Sequence, residues 1–275
     1  VAKRWEIERD GVSLSVLDFG GEGPLALLLH GLAGYAGEWD QTADWLTADH
    51  RVVAYDARGH GASTRRPGNV SPDAQVADAG FVLDRLDEGP AVLVGQSLGG
   101  VTAMLLAAER PEIAAALVMV DAAPGDGGNG RLSAEAMGEA LSSWPVPFAD
   151  YDAAADFFRS RFGDGAAFPW ADGLEQRDDG FWPRFEVDVM AQTLGEMQEP
   201  STWSRWQAVS CPTLVLRAEH GMIDTEVLER MRATRPAATV IELADAQHDV
   251  HLDRPQEWRQ ALRQFLPTGA DLGRS

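Results

Sequence analysis

Gly95-Gln96-Ser97-Leu98-Gly99 sets a serine two residues from a glycine on either side. The motif follows the apolar run 91–94 and opens a helical stretch, Leu98–Glu109. A strand that must turn abruptly into a helix strains its apex residue and lifts that side chain clear of the sheet. The helix N-terminus beneath the serine favours developing negative charge. These are the requirements of a hydroxyl that attacks a carbonyl. Such a hydroxyl is a weak nucleophile until a base within hydrogen-bond reach takes its proton.

Of the six histidines, His248 suits that role best. It follows the last apolar run, Thr239–Leu243, and precedes the closing helical segment, so it can hang over the serine turn. His251, near the helix entry, is the second choice, and His220 lies on the preceding loop. The attack creates an oxyanion that needs two preset donors, each worth about 2.7–4 kcal/mol. One is the backbone N–H of Leu98, beside the serine. The other is the N–H of Leu32, in the loop His30-Gly31-Leu32-Ala33-Gly34 that follows the apolar run Leu25–Leu29. His30 is expected to brace that loop by hydrogen bonding rather than act as a base.

Other chemistries lack their residues. No G-K-[ST] follows the glycines, and Lys3 is the only lysine. No H-E-x-x-H and no cysteine–histidine cluster occurs, and Gly20-Gly21-Glu22-Gly23 precedes a strand rather than a helix. No metal or other cofactor is therefore expected. Cys211 is the only cysteine, which excludes an intrachain disulfide and reads as a buried structural thiol.

The elements that position these groups are legible as strands alternating with helices. Runs at 5–9 and 12–19, joined by Asp10-Gly11, predict an antiparallel hairpin. Leu25–Leu29, 52–55, 91–94 and 117–120 predict buried strands, and 35–46, Pro72–Leu86 and Leu98–Glu109 predict helices between them. This alternation means a mostly parallel sheet with helices on both faces. The rhythm breaks at Pro124-Gly125-Asp126-Gly127-Gly128-Asn129-Gly130 and shows no clear strand until about 210. That stretch holds Trp144, Trp170, Trp182, Trp203 and Trp206, too aromatic for a solvated linker, and 125–130 reads as a candidate hinge. The pattern resumes with a strand at 213–216, a helix at Thr225–Thr234, a strand at Thr239–Leu243 and an amphipathic helix at 255–266. The tail 268–275 is expected to be loose.

At 275 residues, 45% apolar and 24% charged, the chain is an ordinary globular composition. A net charge of −20 excludes nucleic acid as a partner, since phosphate binding needs clustered cations. The scattered acids read as a solvated surface. No apolar run reaches the roughly 18 residues of a membrane span, and residues 1–10 are charged. A cytoplasmic protein acting on a small-molecule substrate is expected.

Leu28-Leu29-His30-Gly31, Tyr55-Asp56-Ala57-Arg58-Gly59-His60-Gly61-Ala62-Ser63, Gly95-Gln96-Ser97-Leu98-Gly99-Gly100, and His248 with Asp253 and Pro255 together resemble the α/β-hydrolase superfamily. The resemblance covers nearly the whole chain. It implies an α/β fold with a mostly parallel eight-stranded sheet. A core of residues 1–123 and 211–275 would be interrupted by a helical lid at 124–210. Asp56, Arg58 and His60 are then structural. The family usually takes the acid that orients its histidine from the loop after the penultimate strand, here Arg217-Ala218-Glu219-His220-Gly221-Met222-Ile223-Asp224. Its position falls on Gly221. Some members take the acid from the end of the strand at 117–120, which makes Asp121 the leading candidate, with Glu219 and Asp224 as alternatives.

The implied activity is that of a serine hydrolase. It would act on a carboxylic ester, lactone or thioester of a small, largely apolar substrate through an acyl-enzyme. Alternatives on the same fold are a C–C bond hydrolase, a cofactor-free perhydrolase, or a ligand receptor with an inactive site. Dehalogenases and epoxide hydrolases of this family use an aspartate nucleophile, so Ser97 speaks against both.

Overall fold

The computed structural model describes residues 2–126, 132–199 and 201–266. Among these residues ten strands form, β1 (Lys3–Arg9), β2 (Val12–Gly20), β3 (Leu25–Leu29), β4 (Arg51–Tyr55), β5 (Ala91–Gln96), β6 (Ala114–Val120), β7 (Glu175–Arg177), β8 (Gly180–Trp182), β9 (Thr213–Ala218) and β10 (Thr239–Leu243). Eight of them make one sheet in the order β1-β2-β4-β3-β5-β6-β9-β10. β1 and β2 pair antiparallel, as do β2 and β4, and the remaining neighbours are parallel. Asp10 and Gly11 both take positive φ, 52° and 76°, which the tight β1–β2 hairpin requires.

The helices are α1 (Asp40–Leu46), α2 (Pro72–Leu86), α3 (Leu98–Glu109), α4 (Ala134–Ser142), α5 (Tyr151–Phe162), α6 (Asp164–Asp172), α7 (Val187–Gln198), α8 (Trp203–Ala208), α9 (Thr225–Thr234), α10 (Val250–Asp253) and α11 (Pro255–Phe265). A 3-10 turn at Ala36–Trp39 precedes α1, so the segment expected as one helix over 35–46 is two.

β3 shows why the sheet is buried on both faces. Leu25, Leu27 and Leu29 join one core with residues of α2, α3, α8 and α9. Ala26 and Leu28 join a second core with α1, α10 and α11. Alternate side chains thus serve opposite faces, and the whole strand reads as apolar. The chain leaves β3 toward α1 on one face and leaves neighbouring β5 toward α3 on the other. The crevice at the carboxyl ends of these two strands is therefore a topological switch point, where open α/β sheets place their ligands.

Above that crevice, α4 to α7 build a third core around Trp144, Phe148, Phe158, Phe185 and Met190. The stretch expected to lack strands contains the short hairpin β7–β8, in which Phe181 also bridges to Phe148. Three-residue strands such as Glu-Gln-Arg carry no apolar period, which is why the pattern hid them. Trp203 and Trp206 belong instead to the core beneath the sheet. Gly165 marks where α6 meets α10: a Cβ there would stand 2.2 Å from the Leu252 carbonyl oxygen. Of the candidate hinge, Gly125 exchanges two hydrogen bonds with Thr202, at 2.8 and 2.9 Å. Residues 127–131 lie outside the described residues, as does the tail expected to be loose.

Candidate active site

Ser97 sits between β5 and α3 at φ 50° and ψ −116°. A non-glycine residue in this region stores about 1–3 kcal/mol of strain. The fold holds it there from three sides. Its N–H donates to the Val120 carbonyl of β6 at 3.0 Å. A Cβ on Gly95 would lie 2.2 Å from the Gly99 oxygen, and one on Gly99 would lie 2.2 Å from the Leu29 oxygen. Both glycines are thus required for the backbone to double back against β3.

The loop after β3 packs directly on this turn. A Cβ on Gly31 would meet Gln96 Oε1 at 2.0 Å and Ser97 Cβ at 3.4 Å. Leu32 and Leu98 accordingly both border the space beside Ser97. His30 braces the loop as expected. Its Nε2 accepts from the Ala57 N–H at 2.9 Å, which leaves the proton on Nδ1 to be donated to the Gly31 carbonyl at 2.7 Å.

His248 lies on the loop after β10, and its Nδ1 is 2.6 Å from Asp121 Oδ2. Asp121 ends β6 at φ 44° with a fully buried side chain. Its carboxylate also accepts from the amides of Ala218 at 3.2 Å and Met222 at 2.6 Å. Gly221 now has a physical reason. A Cβ there would stand 2.1 to 2.5 Å from the Asp121 carboxylate atoms. The carboxylate from β6 occupies the space a side chain at 221 would need.

Two further contacts seat the His248 loop on the serine turn. Gln96 Nε2 donates to the His248 carbonyl at 3.4 Å and to Asp249 Oδ1 at 3.1 Å. The other oxygen of Asp249 accepts from Trp170 Nε1 of α6 at 3.0 Å. Residues 96 and 248 therefore touch, although the chain separates them widely. Burial pulls the His248 imidazole down. The Asp121 hydrogen bond and the charges of Asp249 and Asp121 outweigh it, so His248 titrates above the ordinary histidine value.

The alpha/beta hydrolase fold family matches residues 24–255. The chain is an α/β-hydrolase. It is 31% identical to the mouse (Mus musculus) sn-1-specific diacylglycerol lipase ABHD11, over 93% of this chain and 85% of that one. It is also 31% identical to esterase Rv0045c of Mycobacterium tuberculosis, over 96% of this chain and 90% of the relative. Among solved structures, E-2-(acetamidomethylene)succinate hydrolase superposes with a TM-score of 0.86 at 23% identity, covering 96% of this chain and 99% of the other. The relatives make it a hydrolase, and the last likeness speaks for the fold alone.

In this α/β-hydrolase the remaining candidates take other places, although Asp224 lines the same space as Ser97 and Asp121. Glu219 is exposed and accepts from the Asp245 N–H at 2.9 Å, while Asp224 stands at the N-terminus of α9. Glu219, His220 and Asp245 place one ligand atom each within 4.8 Å of one another, all three exposed and solvated. Asp56 accepts from Arg4 and from the Ala36 and Ala62 amides, and Arg58 pairs with buried Asp78 at 2.6 Å, both structural as expected. Burial pushes His60 down to about 3, so it is a neutral core histidine. Cys211 is buried, and burial raises its thiol. Among the described residues no helix is long and apolar enough to cross a membrane.

His251 is not beside the serine turn but stacks on Trp39 at 4.2 Å, with Nε2 3.3 Å from Glu38 Oε1. Glu38 escaped the sequence reading. Its carboxyl lies under the loop after β3, where it accepts from the Tyr35 N–H at 3.3 Å. Burial pushes Glu38 up to about 8 and His251 down to about 4, so near pH 7 the contact joins two neutral groups. A carboxyl raised in the folded state stabilises fully below its unfolded value of 4.5 and loses that contribution as pH climbs to about 8. Glu38→Gln keeps an acceptor for Tyr35 and has no proton to lose. Its Tm is expected to fall less than wild type between about pH 5 and about pH 8.5, as calorimetry would read. Parallel Tm curves would contradict a neutral Glu38.

Proposed function

We propose that this α/β-hydrolase is a serine carboxylic ester hydrolase working through an acyl-enzyme. Its substrate is an ester, lactone or thioester of modest size and largely apolar character. The observation that carries the reading is the 2.6 Å contact between His248 and a buried Asp121, on a loop that Gln96 fastens to the strained Ser97 turn.

In this reading Ser97 Oγ attacks the carbonyl carbon while His248 Nε2 takes its proton. Asp121 holds the Nδ1–H and stabilises the imidazolium. The N–H groups of Leu32 and Leu98 receive the oxyanion. His248 then returns the proton to the leaving oxygen as the carbonyl–oxygen bond breaks, and water releases the acid by the same steps in reverse order. In this proposal α4 to α7 and the β7–β8 hairpin roof the site as a lid, while α8, although within 124–210, belongs with the core. The receptor alternative drew on the missing acid at Gly221. A carboxylate already bonded to His248 removes that motive.

A panel of p-nitrophenyl esters of graded chain length, run beside fluorophosphonate labelling, tests the reading. Turnover with labelling at Ser97 is expected, and neither would end it. The pH profile offers a sharper check. Activity requires neutral His248, so kcat/KM should fall as pH drops through its raised pKa. The Asp249 carboxylate stabilises the imidazolium, and Asp249→Asn removes that charge. The acid limb of kcat/KM should then move to lower pH, by about one unit or less. A limb that stays in place would show that Asp249 does not reach His248 electrostatically.

A further inference from the structure

The cavity under α4 and α7 is not one room. It has two chambers of about 240 Å³ each, which share Leu32, Leu132 and Met137 between them. Ser97 walls the first, with Val101, Met197, Ile223 and Val227 among its apolar neighbours and Asp126, Gln198 and Asp224 among its polar ones. His248 walls the second, together with Trp144, Phe162, Trp170, Glu38 and Asp249. The nucleophile and the base thus face different chambers across the shared Leu32.

That division has a stereochemical meaning, which rests on the serine-hydrolase reading above. In the tetrahedral intermediate the oxyanion points to the amides of Leu32 and Leu98. The departing oxygen must take its proton from His248 Nε2, so its substituent extends toward the chamber that His248 walls. The acyl substituent is left with the other direction. As the ester bond breaks, Ser97 Oγ keeps the acyl carbon, and the alcohol leaves with the His248 proton.

We propose that the chamber walled by Val101, Met197, Ile223 and Val227 takes a flexible, uncharged aliphatic acyl chain, and that the tryptophan-walled chamber takes a flat, uncharged leaving alcohol. The chemistry of the walls fits each guest. Methionine and branched aliphatics adapt to a chain of variable length. Trp144, Phe162 and Trp170 pack on one another into an aromatic wall, which suits a flat apolar group. Glu38 is neutral there near pH 7, and the Asp249 carboxylate and the Arg161 guanidinium oppose each other, so this chamber carries no net charge to hold an ionic leaving group.

The test crosses acyl length with leaving-group shape, using 2-naphthyl acetate, 2-naphthyl octanoate and methyl octanoate. Val101→Phe fills the first chamber, and Ala140→Trp fills the second, which Ala140 lines. Val101→Phe should lower the octanoate-to-acetate ratio of kcat/KM about tenfold or more. Ala140→Trp should lower the naphthyl-to-methyl ratio by a similar factor. Val227→Phe repeats the first arm should Val101→Phe fold poorly. The opposite pattern, or equal loss in every ratio, overturns the assignment. Short- and long-chain alkyl fluorophosphonates read the same chamber through the labelling rate at Ser97. A Ser97 that reacts with neither sinks the serine-hydrolase reading itself. A Ser97 that reacts without any sensitivity of chain length to Val101→Phe sinks only the chambers.

Discussion

Ser97→Ala is expected to lower kcat toward any ester substrate by about 10⁶-fold and to abolish fluorophosphonate labelling, with the fold unchanged. The size follows from the acyl-enzyme route. Without Oγ the chain can only orient water, and what remains is catalysis by oxyanion donors and binding. Alanine retains the Cβ that strains the turn at φ 50°, so Tm should move little. Ser97→Gly removes that Cβ, should be equally inactive, and should gain unfolding free energy from the roughly 1–3 kcal/mol of strain relieved, less about 0.5–1 kcal/mol for glycine's backbone entropy, with a higher Tm. Steady-state kinetics and calorimetry on the two variants read both effects. Residual turnover within tenfold of wild type would move the nucleophile elsewhere.

The second large effect concerns Asp121. Asp121→Asn should lower kcat about 10⁴-fold, because an amide cannot hold the Nδ1–H tautomer or stabilise the imidazolium. Glu219→Gln and Asp224→Asn should each retain near-normal turnover. Gly221→Asp alone should be severely damaging, since its Cβ would lie 2.1 Å from Asp121 Oδ2. Combined with Asp121→Gly it should recover part of the lost rate, because shortening residue 121 empties the space the new carboxylate needs. Residue 121 already sits at φ 44°, so glycine is at ease there. Double-mutant analysis of kcat/KM measures the recovery. A double variant no better than Gly221→Asp alone would mean that the two positions do not share one site.

The serine turn was readable because its demands are local. Strand, two glycines and helix follow one another within a few residues, and each glycine meets backbone it could not clear with a side chain. The strands Leu25–Leu29 and Thr239–Leu243 were likewise readable to the residue, from apolar runs bounded by turn formers. The partner of His248 was harder. It lies 127 residues away, and three carboxylates competed for the role. What sets Asp121 apart is its 2.6 Å contact with His248, which exists only once the loop after β10 reaches the end of β6. Glu38 and Asp249 gave no signal at all, and Gln96 and Trp170 showed only as members of the serine motif and of the aromatic stretch. Each is an ordinary polar or aromatic residue whose neighbours come from other elements. The hairpin Glu175–Arg177 with Gly180–Trp182 escaped for a different reason, being too short for any period to show.

Gly165 has a mechanical consequence. With the Leu252 carbonyl so close that no side chain fits between, α6 and the segment following His248 behave as a welded seam. Trp170 and Asp249 rivet the same joint a turn further along. Any movement that admits a substrate by lifting α6 would drag the imidazole with it and disarm the site.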